Sequence, residues 1–234
     1  DYPAKVTFVC GRYAATANPD ELVEEFDLEF VGDVGEVAAP RYNVAPTDPV
    51  PTIFVDEVGG RPVRQLGASS WGLIPPWASR KPMRLINARA ETVTEKPSFR
   101  AAIRARRCIL PALGYYEWRS ESADGRTVKQ PYFLRPVDGS LAMAGIFEFH
   151  RSESGWIRTT SILTTDATDE FGWVHDRMPM TVPKDSLEAW LDPRETDPHL
   201  AVALLATPRI APPYKVSRAV GNVANDGPHL IQPE

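Results

Sequence analysis

The sequence predicts an α+β fold, a single domain built on a curled, mostly antiparallel, barrel-like sheet with helices at its periphery. Three observations lead there. Apolar runs of strand length follow one another with turn signals between them, such as Val58-Gly59-Gly60 and Asp138-Gly139. Helical stretches are inserted between these neighbouring runs. The 234 residues carry no repeat, low-complexity segment or linker, and a mixed fold reaches this size as one unit.

Taken in order, residues 1–9 precede the first motif. Asn18-Pro19 reads as an N-cap followed by a first-turn proline, opening a helix to about Leu28 that buries Leu22, Val23 and Phe26. A loop with glycine and proline leads to Arg41-Tyr42-Asn43-Val44-Ala45-Pro46. Residues 50–55 and 62–71 read as two strands joined at Gly59-Gly60. Trp71-Gly72-Leu73-Ile74-Pro75-Pro76-Trp77 has adjacent prolines, so a rigid loop displaying two indoles is expected. Pro97 opens a helix to about Arg106 that places Phe99, Ile103 and Arg107 near one face. Residues 108–113, 130–135, 141–149 and 156–165 read as strands, with hairpin signals at Asp138-Gly139 and Ser154-Gly155. Residues 168–174, 183–191 and 198–206 read as short helices, and 214–220 as a last strand.

Composition narrows the class. With 43% hydrophobic and 24% charged residues this is an ordinary soluble globule, and no apolar run is long enough for a membrane span or a signal-peptide core. Two distant cysteines make no disulfide framework, which implies a reducing, cytoplasmic setting. With four scattered histidines they offer no metal-ligand spacing either, so no metal is expected. The net charge of −5 argues mildly against a nucleic-acid partner, but charge is uneven. Between Arg80 and Arg107 lie seven further Lys or Arg residues, opposed only by Glu91 and Glu95. One basic face on an acidic body suits a single DNA channel.

Several residues could carry chemistry. Cys10-Gly11-Arg12-Tyr13 sets a thiol beside a glycine, which leaves the backbone approachable, and a cation that would lower its pKa. The same four residues also suit a small apolar side chain opening a first strand. Glu117, between Tyr116 and Trp118, is a carboxyl in apolar company, which raises its pKa toward acid/base use. A strand-end glutamate facing solvent fits the pentapeptide equally. His175 is the side chain best able to exchange protons at neutral pH, though a lone histidine is more often structural. Asn43 and Asn87 could cap turns. Arg12 and Arg89 carry guanidinium forks suited to phosphate oxygens. Trp71 and Phe99 could stack on bases or fill a core, with Trp77 a weaker candidate. Cys108, inside an apolar run, reads as an inert buried thiol.

Val9-Cys10-Gly11-Arg12, Asn43-Val44-Ala45-Pro46, Asn87-Ala88-Arg89-Ala90-Glu91-Thr92, Gly114-Tyr115-Tyr116-Glu117-Trp118 and His175-Asp176-Arg177-Met178-Pro179 occur in that order. Together they resemble the SRAP family, SOS-response-associated proteins that crosslink to abasic sites in single-stranded DNA. The resemblance runs from Cys10 to Asn225-Asp226-Gly227-Pro228. It implies that Cys10 is the first residue of the mature protein, so that its α-amine and thiol together close a thiazolidine on the open-chain aldehyde of an abasic sugar. By the same likeness Glu117 opens the sugar ring and shuttles protons, His175 serves the opened sugar, and Asn43 and Asn87 hydrogen-bond the deoxyribose and orient the cysteine. Arg177 holds a phosphate, with Arg12 and Arg89 as the other matched cations. Trp71, Phe99 and Pro46 fall to DNA contacts.

The implied partner is single-stranded DNA containing abasic sites, with no cofactor, no membrane and a monomeric protein. Residues 1–9 are expected to be an extension ahead of a domain at 10–234, with Val9 where an initiator methionine would stand. Two other readings compete. One is a cysteine peptidase with Cys10 as nucleophile, His175 as base and Glu117 or Asn43 as orienter, whose minimal form is removal of its own extension. The other is a non-catalytic single-strand binding module.

Overall fold

A computed structural model describes residues 10–15, 18–78, 83–123, 125–153, 155–167 and 171–234. In chain order they form β1 (Tyr13–Ala15), α1 (Pro19–Phe26), β2 (Phe30–Val31), β3 (Arg41–Val44), β4 (Pro49–Val58), β5 (Arg61–Trp71), β6 (Asn87–Arg89) and α2 (Ala102–Ala105). There follow β7 (Arg107–Ala112), β8 (Gly114–Ala123), β9 (Arg126–Leu134), β10 (Leu141–Ser152), β11 (Gly155–Asp166), β12 (Arg177–Pro179), α3 (Leu187–Leu191), α4 (Pro198–Ala203) and β13 (Tyr214–Lys215).

Local chemistry explains several of these elements. The Asn18 side chain accepts the Asp20 N–H at 3.2 Å, and Asp27 ends α1 in a left-handed conformation at φ 50°. Leu22 and Phe26 are buried, while Val23 is only half-buried. Gly59 and Gly60 take φ of 62° and 79°, the paired left-handed conformations that a two-residue hairpin turn between β4 and β5 requires.

Strands β5, β4, β7, β10 and β11 pair antiparallel in that spatial order. β11 then returns to pair in parallel with β5, Thr159 opposite Ser70 and Thr160 opposite Trp71, closing a five-stranded barrel. β6 and β12 continue from β11, and β2 from β5. A second sheet, in the order β13-β9-β8-β1-β3, lies against the barrel. One core joins the two, with Cys10, Tyr13, Tyr115 and Tyr132 meeting Trp71, Cys108, Leu110 and Met143. A second core packs Leu22, Phe26, Leu187 and Trp190 on Ile53, Leu66, Ile109 and Ile146. No helix among the described residues is long and apolar enough to cross a membrane.

Tertiary packing corrects several expectations. β8 is a ten-residue strand where only a motif was read. Asp138-Gly139 makes no hairpin, because β9 and β10 belong to different sheets. The helix expected over 97–106 is reduced to α2, and 214–220 splits into β13 and a 3-10 turn at Arg218–Gly221. Phe171 to Val174 form a turn, while 168–170, Ser154, Arg80, Lys81 and the segment 1–9 lie outside the described residues.

Trp71 is not displayed. It is fully buried, edge-on to Tyr13 at 5.1 Å, and its Nε1–H donates to the Ile86 carbonyl at 3.0 Å. Phe99 packs in the second core beside Val93, Ala102 and Ile103. Neither ring faces solvent to stack on a base, and of the two expected indoles only Trp77 is exposed, at 66%. Trp71→Ala should therefore destabilise the fold by about 3–5 kcal/mol, the range for emptying a buried aromatic position. Denaturant unfolding checks this, and a loss below about 1 kcal/mol would contradict the core assignment.

Candidate active site

β1 pairs antiparallel with β8, Tyr13 opposite Tyr115 and Ala14 opposite Gly114, and the Tyr116 N–H extends the ladder to the Arg12 carbonyl at 3.0 Å. Carried three residues beyond that pairing, the chain brings Cys10 beside Glu117. The Cys10 backbone N–H donates to Glu117 Oε1 at 2.6 Å. Cys10 holds a φ of 43°, a left-handed conformation uncommon outside glycine, and its side chain is fully buried. Burial pushes the thiol well above the usual range, and the neighbouring Glu117 charge and hydrogen bond push it further.

The expected help from Arg12 is absent. Its Nη1 donates to Asn43 Oδ1 at 2.8 Å and to the Val220 carbonyl at 2.9 Å, and its guanidinium lies over Trp118 at 5.9 Å. The cation next in sequence to the thiol serves the packing of β3 and the C-terminal turns.

Glu117 is 3% exposed, and burial pushes its carboxyl up to about 8 against the opposing Cys10 N–H, with Asp176 adding to the rise. His175 Nε2 lies 4.0 Å from Glu117 Oε2. The Arg177 N–H donates to His175 Nδ1 at 3.1 Å, which favours the neutral tautomer with its proton on Nε2, while Asp176 Oδ1, also 3.1 Å from Nδ1, pulls the other way. Burial lowers the imidazole pKa, with Asp176 opposing, which keeps the ring neutral at pH 7. His175 Nε2 is itself buried with no hydrogen-bond partner, a donor unused beside a protonated carboxyl.

The other expected site residues divide. Asn43 is buried and committed: beyond Arg12, its Nδ2 donates to the carbonyls of Asn222 at 3.0 Å and Asn225 at 2.7 Å. It clamps the C-terminal turns to β3, with both ends of its amide engaged by protein groups. Arg177 is likewise committed, with Nη1 on Asp166 and Nη2 on Glu91 at 2.9 Å and on the Thr164 carbonyl at 2.8 Å. Glu91 and Asp166, both with exposed side chains, hold the Arg177 fork and so brace the Glu91 loop. Asn87 and Arg89 stand at the two ends of β6, half-buried and exposed, with Ala88 buried between them. Pro46 is half-exposed beyond the buried Ala45.

Cys10, Glu117 and His175 thus converge, Asn87 and Arg89 lie on a separate strand of the barrel sheet, and Trp71 and Phe99 are core. Sequence reasoning missed the Asp176 carboxylate, whose Oδ1 is 3.1 Å from His175 Nδ1, although its adjacency to the histidine was the available signal. No group of three or more His, Cys, Asp or Glu placed to hold a metal occurs among the described residues. A cavity of about 570 Å³ between Phe26, Leu141, Val182 and Pro208 contains none of these groups.

Comparison with known proteins gives three findings. The sequence profile of the family described as SOS response associated peptidase (SRAP) matches residues 9–223. The abasic site processing protein YoqW of Bacillus subtilis (strain 168) is 37% identical over 231 residues, covering 96% of this chain and 99% of that protein, and YedK of Escherichia coli (strain K12), also an abasic site processing protein, is 30% identical over 239 residues, covering 96% and 100%. A crystal structure of a protein from Bacteroides thetaiotaomicron superposes with a TM-score of 0.79 at 27% identity, covering 96% of this chain and all of that one.

The raised carboxyl fixes a pH dependence. Between about 4.5 and about 8 the folded protein holds a proton on Glu117 that the unfolded chain has released, so this group's contribution to stability falls as pH rises through that window. Glu117→Gln removes the contribution. Relative to the parent, the variant should gain thermal stability between pH 5 and pH 8, read by parallel melting curves, and an unchanged difference would place the carboxyl in solvent.

Proposed function

This chain belongs to the SRAP family, and from that premise we propose that it processes abasic sites in DNA, capturing them covalently on Cys10 when Cys10 is the first residue. The 2.6 Å contact between the Cys10 nitrogen and Glu117 carries the reading. It sets one residue's nitrogen and thiol beside a carboxyl able to give and take a proton near neutral pH, with the unpartnered His175 Nε2 4.0 Å from the carboxyl's other oxygen.

An abasic deoxyribose interconverts between a cyclic hemiacetal and an open aldehyde. Glu117 in its acid form protonates the ring oxygen, its carboxylate takes up the proton of the C1 hydroxyl as the ring opens and so regains the acid form, and His175 Nε2–H holds a sugar oxygen by hydrogen bond. The neutral α-amine of Cys10 attacks C1. The carbinolamine loses its hydroxyl, protonated by Glu117, as water, and an imine forms. The thiol then adds to the imine carbon while its proton passes to the nitrogen, closing a five-membered thiazolidine with one water released overall. Beside the amide nitrogen, burial pushes the Glu117 carboxyl up to about 8, near the value of about 7.7–8.0 for an α-amine in water, and a free amine at Cys10 would share its proton with that carboxyl. Burial keeps the thiol protonated, which makes nitrogen attack first and sulfur second.

The peptidase reading is less well supported. A cysteine peptidase needs thiolate and imidazole as a pair. Here the thiol's hydrogen-bond partner is Glu117, and the Nδ1 of His175 is occupied by the Arg177 N–H. For the DNA grip, Arg89 is the matched cation with its side chain exposed.

Two experiments follow. Preceded by a peptide bond, the Cys10 nitrogen is an amide whose lone pair is delocalised, so it cannot form an imine. All described strands and helices begin at Tyr13 or later, so a chain starting at Cys10 keeps each of those pairings. The shortened chain should give a denaturation-resistant band with abasic single-stranded DNA, while the 1–234 chain, its mass verified, gives none. A stable adduct from intact 1–234 chain would refute the aminothiol mechanism. Separately, Arg89→Ala should weaken binding to every sequence alike and flatten its salt dependence by about one unit of slope. Arg177→Ala should leave that slope unchanged, and the reverse pattern would return the phosphate to Arg177.

A further inference from the structure

Two residues before His175 the chain holds Trp173 at the surface, 45% exposed. No step of the proposed reaction uses it. Two residues beyond Glu117 on β8, Arg119 places its guanidinium over the Trp173 ring, 4.8 Å from the centroid. Side chains two apart on a strand share a face about 6.6 Å along it. The indole and the cation therefore start from the immediate neighbours of the two groups placed at the reacting sugar, which puts them at the rim of that site.

The pair is held in position from beneath. Trp173 meets Tyr132 edge-on, at 5.3 Å between centroids and 90° between planes, and Tyr132 is only 5% exposed. The Tyr132 hydroxyl donates to Glu121 Oε1, and Lys215 Nζ donates to Glu121 Oε2 at 2.6 Å. An indole braced in this way stays presented without having to be ordered on binding. Around it stand Arg119, Lys215 and Lys129, the last close enough to His175 to help hold the imidazole pKa down. Among the described residues, Glu121 is paired with Lys215, and Asp176 stands beside His175 as an exposed carboxylate.

We propose that Trp173 and Arg119 form a stacking subsite for a nucleotide flanking the abasic residue on the same strand, with the indole taking a base and the guanidinium an adjoining phosphate. The proposal rests on the abasic-site reading above. A missing base leaves the sugar with no ring to stack at the reacting position, so affinity for the strand must come from neighbouring nucleotides. A braced aromatic with a stacked cation supplies that affinity without regard to sequence. Arg89 then meets the strand from β6, in the barrel sheet, and Arg119 from β8, in the second sheet.

The test uses the chain beginning at Cys10 and a fluorescent single-stranded oligonucleotide with one internal tetrahydrofuran, a stable abasic analogue. Two shortened versions end at the analogue itself, one lacking every nucleotide on its 5′ side and the other every nucleotide on its 3′ side. Trp173→Ala should weaken binding of the full oligonucleotide about tenfold, with Trp173→Phe close to wild type. Arg119→Ala should flatten the salt slope by about one unit. The Trp173→Ala loss should persist on one shortened oligonucleotide and vanish on the other, which has lost the stacked nucleotide. Unchanged binding by Trp173→Ala, or an equal loss on all three oligonucleotides and in Trp173→Phe, would overturn the subsite. If the wild-type chain binds none of the oligonucleotides, the abasic-site reading falls together with it; wild-type binding without a Trp173 effect removes the subsite alone.

Discussion

Only a glycine fits at position 114. A Cβ there would lie 2.5 Å from both the Leu134 carbonyl oxygen and the Phe133 ring, closer than real contacts allow. Gly114 opens β8 at the point where β1, β8 and β9 are drawn together, with Ala14 opposite it and Tyr115 facing Leu134 on the other side. That close approach seats β9 on β8, whose other edge pairs with β1 in the register that brings together a nitrogen and a carboxyl 107 positions apart. Each arrangement described at the site follows from it: the burial of Glu117, its reach toward His175, and the continuation of the same strand face to Arg119.

The site is assembled against its own energetics. A buried carboxyl, a left-handed non-glycine residue and an imidazole nitrogen without a partner are each unfavourable, and strained or unsatisfied groups persist only where surrounding structure over-determines them. Here the surroundings are the two cores on the barrel and buried polar clamps that fix its flanks. Arg107 shows how firm these are. Although 3% exposed, its guanidinium donates to the carbonyls of Trp190, Ile103, Arg104, Asp192 and Glu195, tying α2 to the α3 region at the start of β7. Asn43 does the same for the C-terminal turns on the side of the site formed by β3.

What the sequence made legible was what local rules decide. The cap and proline of α1, the two-glycine turn between β4 and β5, and the long strands β10 and β11 rest on neighbours in the chain. β8 escaped because Tyr115, Tyr116 and Glu117 are all buried, so the strand shows no polar alternation where the motif lies. Asp138-Gly139 has hairpin chemistry, with Gly139 at φ 63°, but the flanking strands are claimed by different sheets. At the site the residue types were readable and their commitments were not. Arg12, Asn43 and Arg177 read as ligand-binding groups, and the carbonyls and carboxylates that engage them come from distant parts of the chain. Trp173 went unremarked because nothing in Gly172-Trp173-Val174 says that Tyr132 will brace it.

The proposed chemistry also changes what Glu117 experiences. With an amide at Cys10 the carboxyl has one N–H donor and no counter-charge, and burial dominates its pKa. A free α-amine at the same nitrogen can carry the proton itself. The site then has two states, neutral acid beside neutral amine, or carboxylate beside ammonium 2.6 Å away. The ion pair is favoured by Coulomb attraction in a poorly solvated place, and the neutral pair by desolvation, and the two effects oppose one another at a single proton. Attack on the aldehyde needs the neutral pair, and dehydration of the carbinolamine needs the acid that the neutral pair contains. Exposing the amine therefore creates the nucleophile and also turns a destabilising buried carboxyl into half of an exchangeable pair. A cysteine thiol alone, next to the same glutamate, would gain neither.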